Sequence, residues 1–303
     1  MLRFYKQIWH HTGPSQVSLI LLSLLVAALA AVPLQFQKDI INSLKPDLII
    51  EEIFILCLGY LAIIITSNVL KFLLNYKSSV LGERTVKVIR QRVYSAQHSK
   101  LEQVRDPGTL TTIIAAEAEE VGRFVGAAIA NPLLQVGTLV AIISYVASTQ
   151  PYLGFFLVLI VAPQAAIVLI LQKEVNSSVR KRTLVLRGAT SAISSETLKN
   201  VQDVQTGILA DFDHIYTVRR KIFRLKLSMK FGMNLLNGIG LVGILMIGGV
   251  LMMNKGTDIG TVVASLAALD RINDPWRQLL NFYKELSSVR VKFDLIVGGA
   301  SLS

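Results

Sequence analysis

Long apolar runs alternate along this chain with long stretches in which apolar and charged positions recur at helical spacing. The apolar runs extend from about Gln16 to Phe36, Ile53 to Leu74, Phe124 to Ala147, Leu153 to Leu171, Phe231 to Met253 and Ile259 to Phe282. Each reaches or nearly reaches the roughly 20 apolar residues that a helix needs to span hydrocarbon. Six transmembrane helices are therefore predicted. About 49 residues separate the second and third runs and about 59 the fourth and fifth, whereas the third and fourth, and the fifth and sixth, are joined by only a few.

The two long intervals read as extensions of the helices that flank them. From Lys77 to Leu101 no proline intervenes, and Val80, Val86, Ile89, Val93 and Leu101 fall near helical spacing among Arg, Lys and Glu. Asp106-Pro107-Gly108 then breaks the helix. A second amphipathic run, Thr109 to Val121, leads back past Glu117. The second interval repeats the design, with a polar run from Lys173 to Lys199, a change around Thr206-Gly207, and a return through Ile215 to Lys230. About 25 helical residues at ~1.5 Å each make an arm some 35 to 40 Å long. The expected fold class is an all-α membrane protein, six transmembrane helices with two long helical extensions.

Composition agrees: 52% of the residues are apolar and the mean hydropathy is +0.53, too apolar for a soluble chain of 303 residues. Charge then orients the chain. The first long interval carries 8 Lys and Arg and the second 12, against three (Lys38, Lys45, Lys255) in the loops on the opposite side. The positive-inside rule makes the long intervals and both termini cytoplasmic, in a multi-pass protein of the plasma (inner) membrane. The net charge of +11 fits orientation and contact with anionic headgroups; no nucleic-acid motif accompanies it. Residues 1–15 mix basic and aromatic residues as an interfacial segment does, and the apolar run beyond them is expected to stay as an uncleaved anchor. Residues 16–296 make the membrane domain, and 297–303, with Gly298-Gly299-Ala300-Ser301, read as the start of a linker or tail.

Enzyme chemistry finds little support in the spans. The histidines His10, His11, His98 and His214 all lie outside them, there is no His-Glu-x-x-His pattern, and no metal site is expected. The lone Cys57 excludes an intrachain disulfide. Ionisable groups within a span are functional candidates, because each costs ~2.5–3.5 kcal/mol at the bilayer centre. Asp270, Arg271 and Asp274 in the sixth run meet this criterion, and Asp274 is three residues from both Arg271 and Arg277. These residues are either ion pairs on a wet continuation of the helix or, with Gln135 and Asn234, the lining of a substrate cavity. Pro132 and Pro163 are expected to kink their helices.

Several of these patterns, taken in order, resemble the membrane domain of ATP-binding-cassette exporters, the type 1 exporter fold, over essentially the whole chain. Pro33 ahead of Ile40-Ile41-Asn42 matches the end of the family's first helix. Gly108-Thr109-Leu110-Thr111-Thr112 matches the tip of its first arm, with Ile113 and Glu117 where Arg and Asp are usual. Glu196-Thr197-Leu198-Lys199-Asn200-Val201 is similar to a Glu-x-Leu-x-Gly-Ile pattern in the second arm. In the last span Gly256, Gly260 and an apolar run lead to Asp274-Pro275. The resemblance implies a permease subunit or domain that works as a dimer of two such halves. ATP and Mg would act through a nucleotide-binding domain, an ABC ATPase, docked on the arm tips at Arg105, Asp106, Gly108, Ile113 and Glu117 and at Thr206, Asp211 and His214. The chain holds no Gly-x-x-x-x-Gly-Lys-Ser/Thr phosphate loop, so that ATPase is expected on another polypeptide or in a longer parent chain. The alternative, an ATP-independent carrier or channel, would transport on an ion gradient alone.

Overall fold

The computed structural model describes residues 2–44, 50–99, 117–195 and 201–300. Among them the chain is helical: α1 (Leu2–Ala28), α2 (Val32–Ser43), α3 (Ile50–Ser99), α4 (Ala118–Ala127), α5 (Ala130–Thr149), α6 (Pro151–Ser195), α7 (Val201–Met253) and α8 (Ile259–Ala300). Five stretches are long and apolar enough to cross a membrane: Thr12–Ser43, Ile50–Ser95, Ala118–Thr149, Pro151–Val179 and Leu209–Met253. The sixth expected span forms as helix α8. Asp270, Arg271 and Asp274 interrupt its apolar run, which therefore falls short of the others.

Helix lengths support the extension reading. At 50 residues α3 is about 75 Å long, and at 53 residues α7 is about 80 Å, against a hydrocarbon core of about 30 Å. The change expected around Thr206-Gly207 leaves the helix unbroken, since α7 runs through it from Val201. A single glycine has the N–H that a helix ladder needs and costs only about 1 kcal/mol against alanine. The break expected at Asp106-Pro107-Gly108 lies outside the described residues.

Proline acts at helix starts more than as a kink. Pro33 sits at the start of α2, after a turn in which the Val32 N–H donates to the Leu29 carbonyl (3.3 Å). Pro132 falls in the first turn of α5, and where the kink was expected the hydrogen-bond ladder is interrupted at Ala128–Ile129 while the backbone there keeps helical angles. Without an N–H, Pro132 cannot bond the Ala128 carbonyl four residues back. Pro163 and Pro275 lie inside continuous helices.

The chain divides into two compact units, one of residues 1–155 and 244–303, the other of residues 156–243. In the first, α1 packs on α5 and α3, α2 on α3 and α8, and α8 also on α5 and α4. α3 and α4 approach each other closely. A Cβ on Gly126 would collide with the Ser78 carbonyl oxygen, and one on Gly122 would stand 2.7 Å from the Val86 nitrogen. Beside this contact Val93, Val121, Phe124, Val125, Leu286 and Val289 form an apolar cluster with Phe282 packed on it. Val93 lies 43 residues along α3, about 65 Å from its start, so the extension has an apolar core of its own. In the second unit the Gln164 amide donates to Asn237 Oδ1 (2.8 Å), and Lys221 pairs with Glu174 (2.5 Å), joining α6 to α7.

Candidate functional site

Three helices of the first unit contribute polar stripes to one cavity of about 410 Å³. From α3 come Ser67, Lys71 and Asn75; from α5 Asn131, Gln135 and Thr138; from α8 Arg271, Asp274 and Gln278. Each set recurs at three or four residues, the spacing that puts side chains on one helix face. Apolar residues complete the wall, among them Val26, Leu29, Leu74, Leu134 and Ile142.

Gln135 organises the α5 side. It is buried, and its amide donates to Asn131 Oδ1 (3.1 Å) and Gln278 Oε1 (3.3 Å), tying α5 to α8. Of the two pairings open to Asp274, the structure makes the one with Arg277, at 2.7 Å on an exposed face. Arg271 and Lys71 line the cavity with no carboxylate partner among the described residues.

Sequence candidates separate accordingly. Gln135, Arg271 and Asp274 come together in the cavity. Asp270 does not line it, being about 100° around the helix from Arg271 and exposed. Asn234 is exposed in the other unit and is not part of it. Lys71, Asn75, Ser67 and Gln278 were missed by sequence reading. The spacing of Ser67, Lys71 and Asn75 within the second apolar run was the available signal. Of the arm candidates, Arg105, Asp106, Gly108 and Ile113 lie outside the described residues, as does the side chain of Thr206. Glu117, partly buried, leads into α4, while Asp211 and the exposed His214 stand three apart on α7.

A second polar concentration closes the short-loop end. Asn42 at the end of α2 donates to Asp258 Oδ1 (2.7 Å) and accepts from the Gly260 N–H (2.9 Å). Asp258 also accepts from the Thr261 N–H (2.7 Å) and hydroxyl (2.9 Å), with Lys38 at 3.9 Å. Burial pushes its carboxyl up, but the bonds from Asn42 and Thr261 and the Lys38 charge outweigh this and hold it below the ordinary value. Across the same end the Gln150 amide donates to the Gly256 carbonyl (2.9 Å), linking the α5–α6 and α7–α8 turns.

The chain's length, its helix order and this cavity within a bundle accord with one known architecture, and comparison with known proteins decides the matter. The ABC transporter transmembrane region family matches residues 17–270. The chain belongs to that family.

As an ABC transporter transmembrane region, it is similar over 293 residues to the transport/processing ATP-binding protein ComA of Streptococcus pneumoniae strain R6, with 23% identity. ComA of the serotype 4 strain TIGR4 is matched to the same extent. The alignment covers 90% of this chain and 40% of each relative, so the chain spans about two-fifths of the length of the curated relatives it matches. The match to the family ends at residue 270, just before the charged part of α8 that lines the cavity.

Proposed function

We propose that this chain is the membrane-spanning half of an ATP-driven exporter. The observation that carries the reading is the extension of α3, α6 and α7 far beyond their apolar runs, in a chain of the ABC transporter transmembrane family. Rigid helices of this length bring force from a site outside the bilayer to the bundle. The relatives named ATP-binding proteins continue well beyond the aligned region, which favours an ABC ATPase domain as the partner of the arms. ATP and Mg act there and not on this chain. Arg105 to Glu117 form one coupling surface and Thr206 to His214 the other.

The charge asymmetry between long and short loops favours cytoplasmic arms and termini in the plasma (inner) membrane. A second transmembrane half, identical or different, completes the pathway. By the family resemblance, α6 and α7 reach across to that partner. Gln135, Arg271 and Asp274 belong to the cavity that cargo enters.

Isolation of the native complex in mild detergent, with mass spectrometry of each component and an ATPase assay, tests the reading. A nucleotide-binding polypeptide at one copy per chain, or a longer form of the same chain, is the expected result. A chain isolated alone at full length and inert to ATP would return the carrier or channel reading to the front.

A further inference from the structure

The cavity's lining is unbalanced in charge. It includes two cations, Lys71 on α3 and Arg271 on α8, and one acid, Asp274. Arg277, which does not line the cavity, already neutralises Asp274 at 2.7 Å. No carboxylate among the described residues pairs with Lys71 or Arg271. Arg271 lies 12 residues into α8, about 18 Å from its start, within the depth of a hydrocarbon core of about 30 Å. At that depth a cation is costly unless an anion or a wet cavity compensates it.

Other groups on the wall suit an anion as well. The Ser67 hydroxyl is buried without a hydrogen-bond partner. Gln278 accepts from Gln135 through its oxygen, which leaves its NH₂ to donate. Leu29, Leu74, Leu134 and Ile142 line the same space and suit a chain rather than a second charge.

We propose that this cavity binds an anionic amphiphile, with its carboxylate or phosphate between Lys71 and Arg271 and its apolar part against the leucine-rich wall. The inference deepens the transport reading and rests on it for the role of cargo, while the binding step itself needs no nucleotide. Charge-assisted hydrogen bonds from Lys71 and Arg271 hold the headgroup, and the neutral amides around Gln135 border it. A cationic amphiphile of the same length meets like charge in the same place.

The test uses the full chain, in its native complex, in phosphatidylcholine nanodiscs, with Trp9→Phe so that Trp276, beside the cavity residue Pro275, is the remaining tryptophan of this chain. A dansyl-labelled undecanoate is titrated and energy transfer from tryptophan is read, with dansyl-labelled dodecylammonium as the cationic counterpart. Saturable transfer is expected for the anionic probe, and Lys71→Gln and Arg271→Gln are each expected to weaken it by about tenfold. Lys71→Arg, which keeps the charge, and Lys77→Gln, outside the cavity, are expected to bind as the parent does. Adding phosphatidylglycerol to the nanodisc separates the sources: competition assigns the site to lipid headgroups, and its absence to anions from solution. Equal binding of both probes, or unchanged binding in the Lys71→Gln, Arg271→Gln double variant, overturns the proposal. Failure of the transport reading is seen separately, as anionic binding that persists in a complex without any ATPase activity.

Discussion

Single residues set how closely these helices meet and how long their polar ends stay joined. At Gly126 a methyl group would collide with the backbone of α3, which has no freedom to yield inside a helix ladder. Gly126→Ala is therefore expected to destabilise the protein by about 1–3 kcal/mol, seen as a lower Tm in detergent. Gly249→Ala, where nothing lies within 4 Å, is expected to leave the Tm unchanged or slightly raised. Asp258 provides a pH signature. Its folded carboxyl is held below the ordinary 3.8, so its contribution is complete above that value and is lost as pH falls through the lower folded one. The Tm difference between the parent and Asp258→Ala is expected to stay flat from neutral pH down to about 4 and to shrink below it; growth of the difference on acidification would contradict the assignment. At this scale the sequence was only partly legible. Arg271, Asp274 and Gln135 stood out as polar groups in apolar runs, but so did Asp270 and Asn234. Only the rotation of each helix, fixed by packing, separates the two sets. Lys71 was passed over because it lies near the end of its apolar run, where a lysine commonly reaches toward the interface.

Among the elements of the described residues, α4 is the shortest, at 10 residues, and it packs the extension of α3 together with α8. Its acidic start, Glu119 and Glu120, precedes a face that buries Val121, Phe124 and Val125 against α3 and α8. Exposed ion pairs cross the same contact, Arg90 with Glu119 at 3.5 Å and Arg123 with Glu83 at 3.8 Å, and add about 0–1 kcal/mol each. Phe124 contributes more, being buried and stacked on Phe282 with ring centroids 5.3 Å apart. Phe124→Ala is expected to cost about 3–5 kcal/mol and to expose the end of α8 to limited proteolysis; an unchanged cleavage pattern would contradict a packed extension. Helix existence was legible throughout, because apolar and amphipathic periodicities are long and consistent here. Breaks were less so: the ladder is interrupted beside Pro132, where a kink was expected, but α7 runs on through Gly207, where a change was expected. Proline removes a backbone donor, whereas glycine keeps it.

For the whole molecule, alternation of loop lengths was the most informative feature of the sequence, since it fixed the helix order and the two arms together. It also sets which end the proposed ATPase would meet. Lys100 and Lys199 belong to the long intervals, near the expected arm tips, whereas Lys38 and Lys255 belong to the short-loop end. Lysine-directed cross-linking of the native complex, read by mass spectrometry, compares the two ends in one experiment. Links from Lys100 and Lys199 to a nucleotide-binding polypeptide, with none from Lys38 or Lys255, are the predicted result. Links from the short-loop end instead, or a nucleotide-binding partner that never reaches either arm, would contradict the account.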